Sequence, residues 1–149
     1  MNENFALLDS QVVLMDKSRD KLEESMKHCL LIDLNKELSD ADEVSLEAFS
    51  ARFSRLSDYL MQRIFRTLDV IEFEDEGTLR DRMNRAEKKG LIESTQDFVK
   101  IRTLRNIIAH EYTDEEVIHI YQKVLELTPN LLDACKRIKQ YIQKKGYKS

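Results

Sequence analysis

Arg105, Asn106, His110 and Tyr112 fall within one short stretch, "LRNIIAHEY" at residues 104–112, where reactive side chains crowd more tightly than anywhere else in the chain. A guanidinium is a planar fork of donors suited to phosphate oxygens, and it stays charged at any physiological pH. An imidazole titrates near neutrality, so it takes or gives a proton. Those are the two functions needed to cleave RNA without a metal ion. A base helps the ribose 2′-hydroxyl attack the adjacent phosphorus, a cation stabilises charge building on the phosphoryl oxygens, and an acid protonates the departing 5′-oxygen. Asn106, one turn before His110, is placed to orient the imidazole. One histidine is few for acid and base together; a symmetric dimer would supply two histidines and two arginines.

The same spacing has a plainer reading. A histidine at a helix C-terminus is favoured by the dipole alone. A tyrosine there is commonly a half-buried core residue with its hydroxyl at the surface. Spacing leaves both readings open. If the helix runs to about Tyr112, a step of about 100° per residue puts Ile101, Leu104, Ile107 and Ile108 on one core-facing arc. Arg102, Arg105, Asn106 and His110 take the remaining arc, with Tyr112 beside Arg105. Arg102 is then a candidate RNA contact.

The elements that must carry this face are helices. Three glycines and one proline in 149 residues leave few turns and long elements. Leu8, Val12, Met15, Leu22, Met26 and Leu30 keep the three-four spacing of an amphipathic helix. The acidic "ELSDADE" at 37–43 interrupts it and offers N-cap residues for the next. Leu46, Phe49, Phe53, Leu56, Leu60, Ile64 and Leu68 form the second stripe. After the charged loop "EFEDEGT" a short helix is expected from Leu79 to the Gly90 stop. Ser94–Asp97 resembles a capping box and Thr113–Glu116 matches one fully. Pro129 is expected to kink or interrupt the last helix. The expected fold is all-α: an antiparallel up-and-down bundle of four long helices plus a short one. It forms a single domain over 1–149 with a frayed basic tail at about 143–149.

Composition narrows the class. The 35% charged and 42% hydrophobic residues fit a soluble globular chain. Cys29 and Cys135 are isolated among apolar neighbours, as buried thiols of a reducing cytosol would be. No apolar run approaches the roughly 20 residues of a membrane span, and the acidic N-terminus is unlike a secretory signal; the expectation is a cytoplasmic protein. Net charge is −4, but residues 80–110 carry eight Lys/Arg against four Asp/Glu and residues 1–50 carry five against twelve. The basic middle zone is a candidate surface for a polyanion, with Asp81, Arg82 and Arg85 as further candidate contacts. Glu116–His119 has Glu-x-x-His spacing, but a di-metal bundle needs a second such pair and further carboxylates. Glu24 and His28 are four apart and do not supply it. No metal and no cofactor are expected.

"RNIIAHEY" reads as R-x4-H-x-Y and resembles the motif of HepT-type toxins in the HEPN superfamily; Asn106 fits the polar residue after the arginine. "FSARFSRLSDYLMQRIF" (49–65) and "LRDRMNRAEKKGLIESTQDFVKIRTLRNIIAHEY" (79–112) are similar to that family's second helix and central segment. The resemblance implies a homodimeric helical bundle with a composite, metal-independent ribonuclease site. Arg105 and His110 would be its catalytic pair, with Asn106 in support. It implies a toxin of a type II/VII-like toxin–antitoxin pair, whose partner is a minimal nucleotidyltransferase antitoxin that transfers AMP from ATP onto Tyr112. The alternative is a non-catalytic substrate-binding subunit of a nucleotidyltransferase, in which Arg105 and Tyr112 serve docking.

Overall fold

The computed structural model describes residues 3–110 and 112–149; Glu111, the spacer between His110 and Tyr112, lies outside the described residues. The chain is all-helical, 79% helix with no strand among the described residues. No helix there is long and apolar enough to cross a membrane.

Helix α1, Glu3–Cys29, buries Leu8, Met15 and Leu22 completely and Val12 and Met26 in part. Leu30 departs from the expected stripe: the helix ends one residue earlier, Cys29 takes the buried position, and Leu30 is 60% exposed. Helix α2, Asp40–Tyr59, starts at Ser39, whose hydroxyl accepts the Asp42 amide. A π-helical turn, Leu60–Ile64, joins it to α3, Phe65–Ile71. All seven residues of the expected second stripe are buried. The π turn was not expected, and its effect is visible in the packing. Before it the stripe reads Phe53, Leu56, Leu60; after it Phe65 and Leu68 are in phase with Met61 instead, and both phases are buried through the turn. One extra residue per turn rotates the stripe without breaking the rod.

Helix α4, Leu79–Lys89, opens with a complete capping box between Thr78 and Asp81 and stops at Gly90, which adopts φ 80° in the left-handed region. Helix α5, Thr95–Ile108, has half of the expected box: the Ser94 hydroxyl accepts the Asp97 amide at 3.3 Å, while the Asp97 carboxylate accepts from Asn130 at 3.1 Å. Helix α6, Asp114–Lys145, has the full Thr113–Glu116 box. It runs across Pro129 without the expected interruption. Pro129 itself is exposed, while Leu127 and Leu131 on either side are buried, so packing holds the rod across the missing backbone bond.

Four long rods therefore pack with the short α4. Cys29 meets Ser45 while Ser25 meets Arg52, so α1 and α2 run antiparallel. Asp58 meets Arg105 while Phe65 meets Phe98, so the α2–α3 rod and α5 do likewise. The core fills the space between them, and Phe49, Phe53, Phe65 and Phe98 are its largest fully buried side chains. Each contributes roughly 1.5–3 kcal/mol by leaving water. The basic tail is docked rather than frayed. Tyr147 stacks on Phe5 with ring centroids 5.4 Å apart and donates to Glu72, and Ser149 bonds to Asp9.

Candidate functional site

Helix α5 presents Arg102 and Arg105 toward α2, and both reach one carboxylate. Asp58 accepts the Arg105 Nε at 2.7 Å and its Nη2 at 2.7 Å, one on each oxygen, and the Arg102 Nη1 at 3.0 Å. The three side chains are about a quarter exposed, so the cluster sits at the rim of the bundle. The hydrogen bonds that Arg105 donates to Asp58 hold its guanidinium pKa above the usual value. Asp58 uses the Nε–Nη2 edge of Arg105. Among the described residues the two Nη1 protons and the second Nη2 proton remain for another acceptor, an edge whose geometry suits phosphate oxygens.

Asp58 is not among the residues that spacing and side-chain chemistry mark as candidates. A signal was present: it is the only acid between Glu47 and Asp69, in a stretch that holds four arginines. An isolated carboxylate in such a stretch, on a helix packed against another arginine-bearing helix, is the expected partner for those charges.

His110 lies beyond α5, not on it. The helix ends at Ile108, Ala109 is its C-cap, and the His110 amide closes a turn onto the Ile107 carbonyl at 3.1 Å. The helical-wheel placement of His110 and Tyr112 therefore does not hold; the motif spans a helix end and the connection into α6. Ile107, expected in the core, is 43% exposed and lines a groove between α5 and α6. Asn106 and His110 are exposed. Among the described residues no hydrogen bond joins Asn106 to His110, so the proposed orienting contact is not formed in the free chain. Arg102 and Arg105 are brought together; His110 stands apart from them in the hydrogen-bond network.

Tyr112 is half-buried and packs against the core. Burial pushes the Tyr121 phenol up to about 12, reinforced by Tyr112, Glu47 and Glu43, which places these groups at one end of the bundle. That end is acidic, with Asp114, Glu115 and Glu116 opening α6 beside it.

The middle basic zone is largely spent inside the molecule. Asp69, 3% exposed, pairs with Arg85 at 2.9 Å, Lys89 at 3.2 Å and Arg82 at 3.6 Å. Arg82 also donates to the Met61 carbonyl in the π turn. Lys89 bridges to Glu72, which accepts from the Tyr141 and Tyr147 hydroxyls. Arg82 and Arg85 are thus structural ties between α3 and α4, not free contacts for RNA. Asp81 is the capping carboxylate of α4. Glu116 is likewise engaged as a cap, accepting from the Thr113 amide and hydroxyl. No group of three or more metal-ligating side chains comes together among the described residues. Cys29 and Cys135 are free and buried. In comparisons with protein-family models, curated proteins and solved structures, the chain matches none.

Proposed function

We propose that the chain is a metal-independent ribonuclease of the HepT-like kind within the HEPN superfamily, the toxin of a toxin–antitoxin pair. The observation that carries the reading is the Asp58-clasped Arg105: a guanidinium fixed at 2.7 Å with one edge unoccupied among the described residues, five residues before an exposed histidine at a helix end. In this reading Arg105 stabilises charge on the phosphoryl oxygens. His110 takes the proton of the attacking 2′-hydroxyl, and the 5′-oxygen leaves as a cyclic phosphate forms. Acid and base together require a second His110, so the active species is a homodimer that joins two such sites. The exposed Ile107 and the apolar groove of about 580 Å³ between α5 and α6 offer surface for such contact.

A minimal nucleotidyltransferase partner silences this site. The Tyr112 phenolic oxygen attacks the α-phosphate of ATP, its proton is lost, and pyrophosphate departs. The resulting phosphodiester adds negative charge and bulk beside the motif and competes for the guanidinium. Growth arrest on expression of the chain alone, abolished by His110→Ala and by Arg105→Ala, together with RNA cleavage that persists in EDTA, is the expected result. Intact mass after incubation with the neighbouring nucleotidyltransferase and ATP rises by AMP units in the native chain and not in Tyr112→Phe.

A second reading is favoured by a different observation. The carboxylates Asp114, Glu115 and Glu116 that open α6 just after Tyr112, and the ion-paired state of Arg102 and Arg105, suit a non-catalytic subunit that binds a nucleotidyltransferase and its substrate. Harmless expression of the intact chain, with no RNA cleaved, selects that reading.

A further inference from the structure

The acidic N-terminal third of the sequence conceals a cationic groove. Between α1 and α2 lies a groove of about 310 Å³ lined by Leu14, Lys17, Lys21, Arg52, Arg55 and Tyr59, with no acidic residue in its lining among the described residues. Each helix supplies two of the four cations. Lys17 and Lys21 stand about 6 Å apart along α1, and Arg52 and Arg55 about 4.5 Å apart along α2. No carboxylate lies within salt-bridge distance of any of them among the described residues, unlike Arg82, Arg85, Lys89, Arg102 and Arg105, which are all paired. Arg52 is held in place by the Ser25 hydroxyl at 2.6 Å and the Lys21 carbonyl at 3.3 Å. Gathering four like charges in one groove raises the energy of the free chain unless an anion enters.

The groove adjoins the candidate site. Arg55 stands one helical turn before Asp58, the residue that clasps Arg105, and Tyr59 follows Asp58 directly. Tyr59 and Leu14 add an apolar and aromatic wall to the cations. That combination, a positive track with an aromatic surface for bases, is how single-stranded nucleic acid is held without sequence readout. A second copy of this chain is a poor occupant, since pairing the groove with itself would oppose lysines to arginines. A second cationic pocket near Gly90 and Lys145 is a weaker candidate, because its Lys89 and Arg137 already carry carboxylate partners.

We infer that the α1–α2 groove of Lys17, Lys21, Arg52, Arg55 and Tyr59 binds the phosphate backbone of single-stranded RNA and leads it past Arg55 to the Asp58–Arg105 cluster. This rests on the ribonuclease reading for the identity of the strand. Lys17, Lys21 and Arg55 are exposed, so their replacement leaves the packing intact.

The test is fluorescence anisotropy of the full chain with a short labelled 2′-O-methyl RNA, which lacks the attacking hydroxyl and cannot be cut by the proposed route. Lys17→Ala/Lys21→Ala/Arg55→Ala weakens binding on the order of tenfold and flattens the slope of log K against log salt by about 2, at about 0.7 per lost contact on a single strand. The control Lys36→Ala/Lys136→Ala/Lys148→Ala makes the same change in net charge at exposed positions outside the groove and leaves the slope nearly unchanged. Equal affinity and slope in the groove variant, or no RNA binding by the native chain, overturns the inference. So does binding to phosphatidylserine vesicles, but not to RNA, through the same three cations. The two proposals fail separately. Groove-dependent binding with no cleavage of unmodified RNA leaves the groove and removes the nuclease. Cleavage with unchanged binding by the groove variant does the reverse.

Discussion

Asp58 holds Arg105 by two parallel hydrogen bonds, with Nε and Nη2 each 2.7 Å from a separate carboxylate oxygen. The pair joins α2 to α5 and fixes the guanidinium plane. It also consumes one edge of the fork, so the remaining edge is oriented before any ligand arrives. Asp58 acts through Arg105 and is a positioning residue. Asp58→Asn keeps one acceptor oxygen but loses the charge and half of the clasp. Because the cluster is partly exposed, the expected loss of stability is about 1–2 kcal/mol, measured as a lower urea midpoint with unchanged slope. If Arg105 serves catalysis, the same variant lowers RNA cleavage on the order of a hundredfold through misplacement, and kcat falls while KM changes little. A matching drop in stability with undiminished cleavage would assign Asp58 a structural role only.

Much of the fold was legible because burial follows helical spacing. Leu46 to Leu68 read as one stripe, and every member is buried. The caps at Thr113 and Gly90 were legible because each satisfies end groups locally, with partners within a few residues; the Thr78–Asp81 box was not singled out. What failed depended on distant partners. The π turn at Leu60–Ile64 leaves no mark in the spacing of apolar residues, since both of its phases are apolar. The basic residues at 80–110 read as a surface because Asp58 and Asp69, their partners, lie elsewhere in the sequence. The wheel misplaced His110 because the end of α5 at Ile108 carries neither glycine nor proline to announce it. Arg102, Arg105, Asn106, His110 and Tyr112 were legible as candidates; the Asp58 clasp and the α1–α2 groove were not.

Stability should decline at both ends of the pH scale, and Glu72 contributes at the acid end. Burial alone would raise its pKa, but hydrogen bonds from Lys89, Tyr141 and Tyr147 outweigh that and hold it below 4.5. A depressed folded pKa contributes stability that is present above about 4.5 and is lost as pH falls through the folded value. At the alkaline end, burial and the bond to Glu72 push the Tyr147 phenol from 10 up to about 12. That contribution is complete below pH 10 and is lost as pH rises toward 12. Urea midpoints measured across pH should show a plateau between these limits. Glu72→Gln should flatten the acid limb, and Tyr147→Phe should flatten part of the alkaline one. An acid limb unchanged in Glu72→Gln would remove Glu72 from this role.

Both thiols should be silent in the native state. Cys29 and Cys135 have no exposed surface, and burial pushes the Cys135 thiol up to about 12 and raises that of Cys29. The thiolate is the reactive form, so neither group offers it at neutral pH. Intact mass after iodoacetamide treatment should show no addition to the native chain and two additions in urea. Rapid labelling of Cys29 alone would indicate that the α1–α2 connection opens without global unfolding.

Asp69 provides the sharpest separation between charges that hold the fold and charges that face a ligand. Its side chain is 4% exposed, yet it is met by Arg82, Arg85 and Lys89 from α4. Removing a buried anion strands its cations, which costs more than the pair itself contributes. Asp69→Ala should therefore destabilise the chain by about 3–5 kcal/mol, enough to lower its folded population at moderate temperature. Arg80→Ala, on an exposed face of the same helix, should stay within about 0.5 kcal/mol of the native chain. Double replacement of Asp69 and Arg85 by apolar residues should recover part of the loss, since one fewer charge is left stranded. If Asp69→Ala were as mild as Arg80→Ala, the three cations would have found water or other partners. The basic segment would then be free to serve as the polyanion surface that its sequence suggests, in place of the α1–α2 groove.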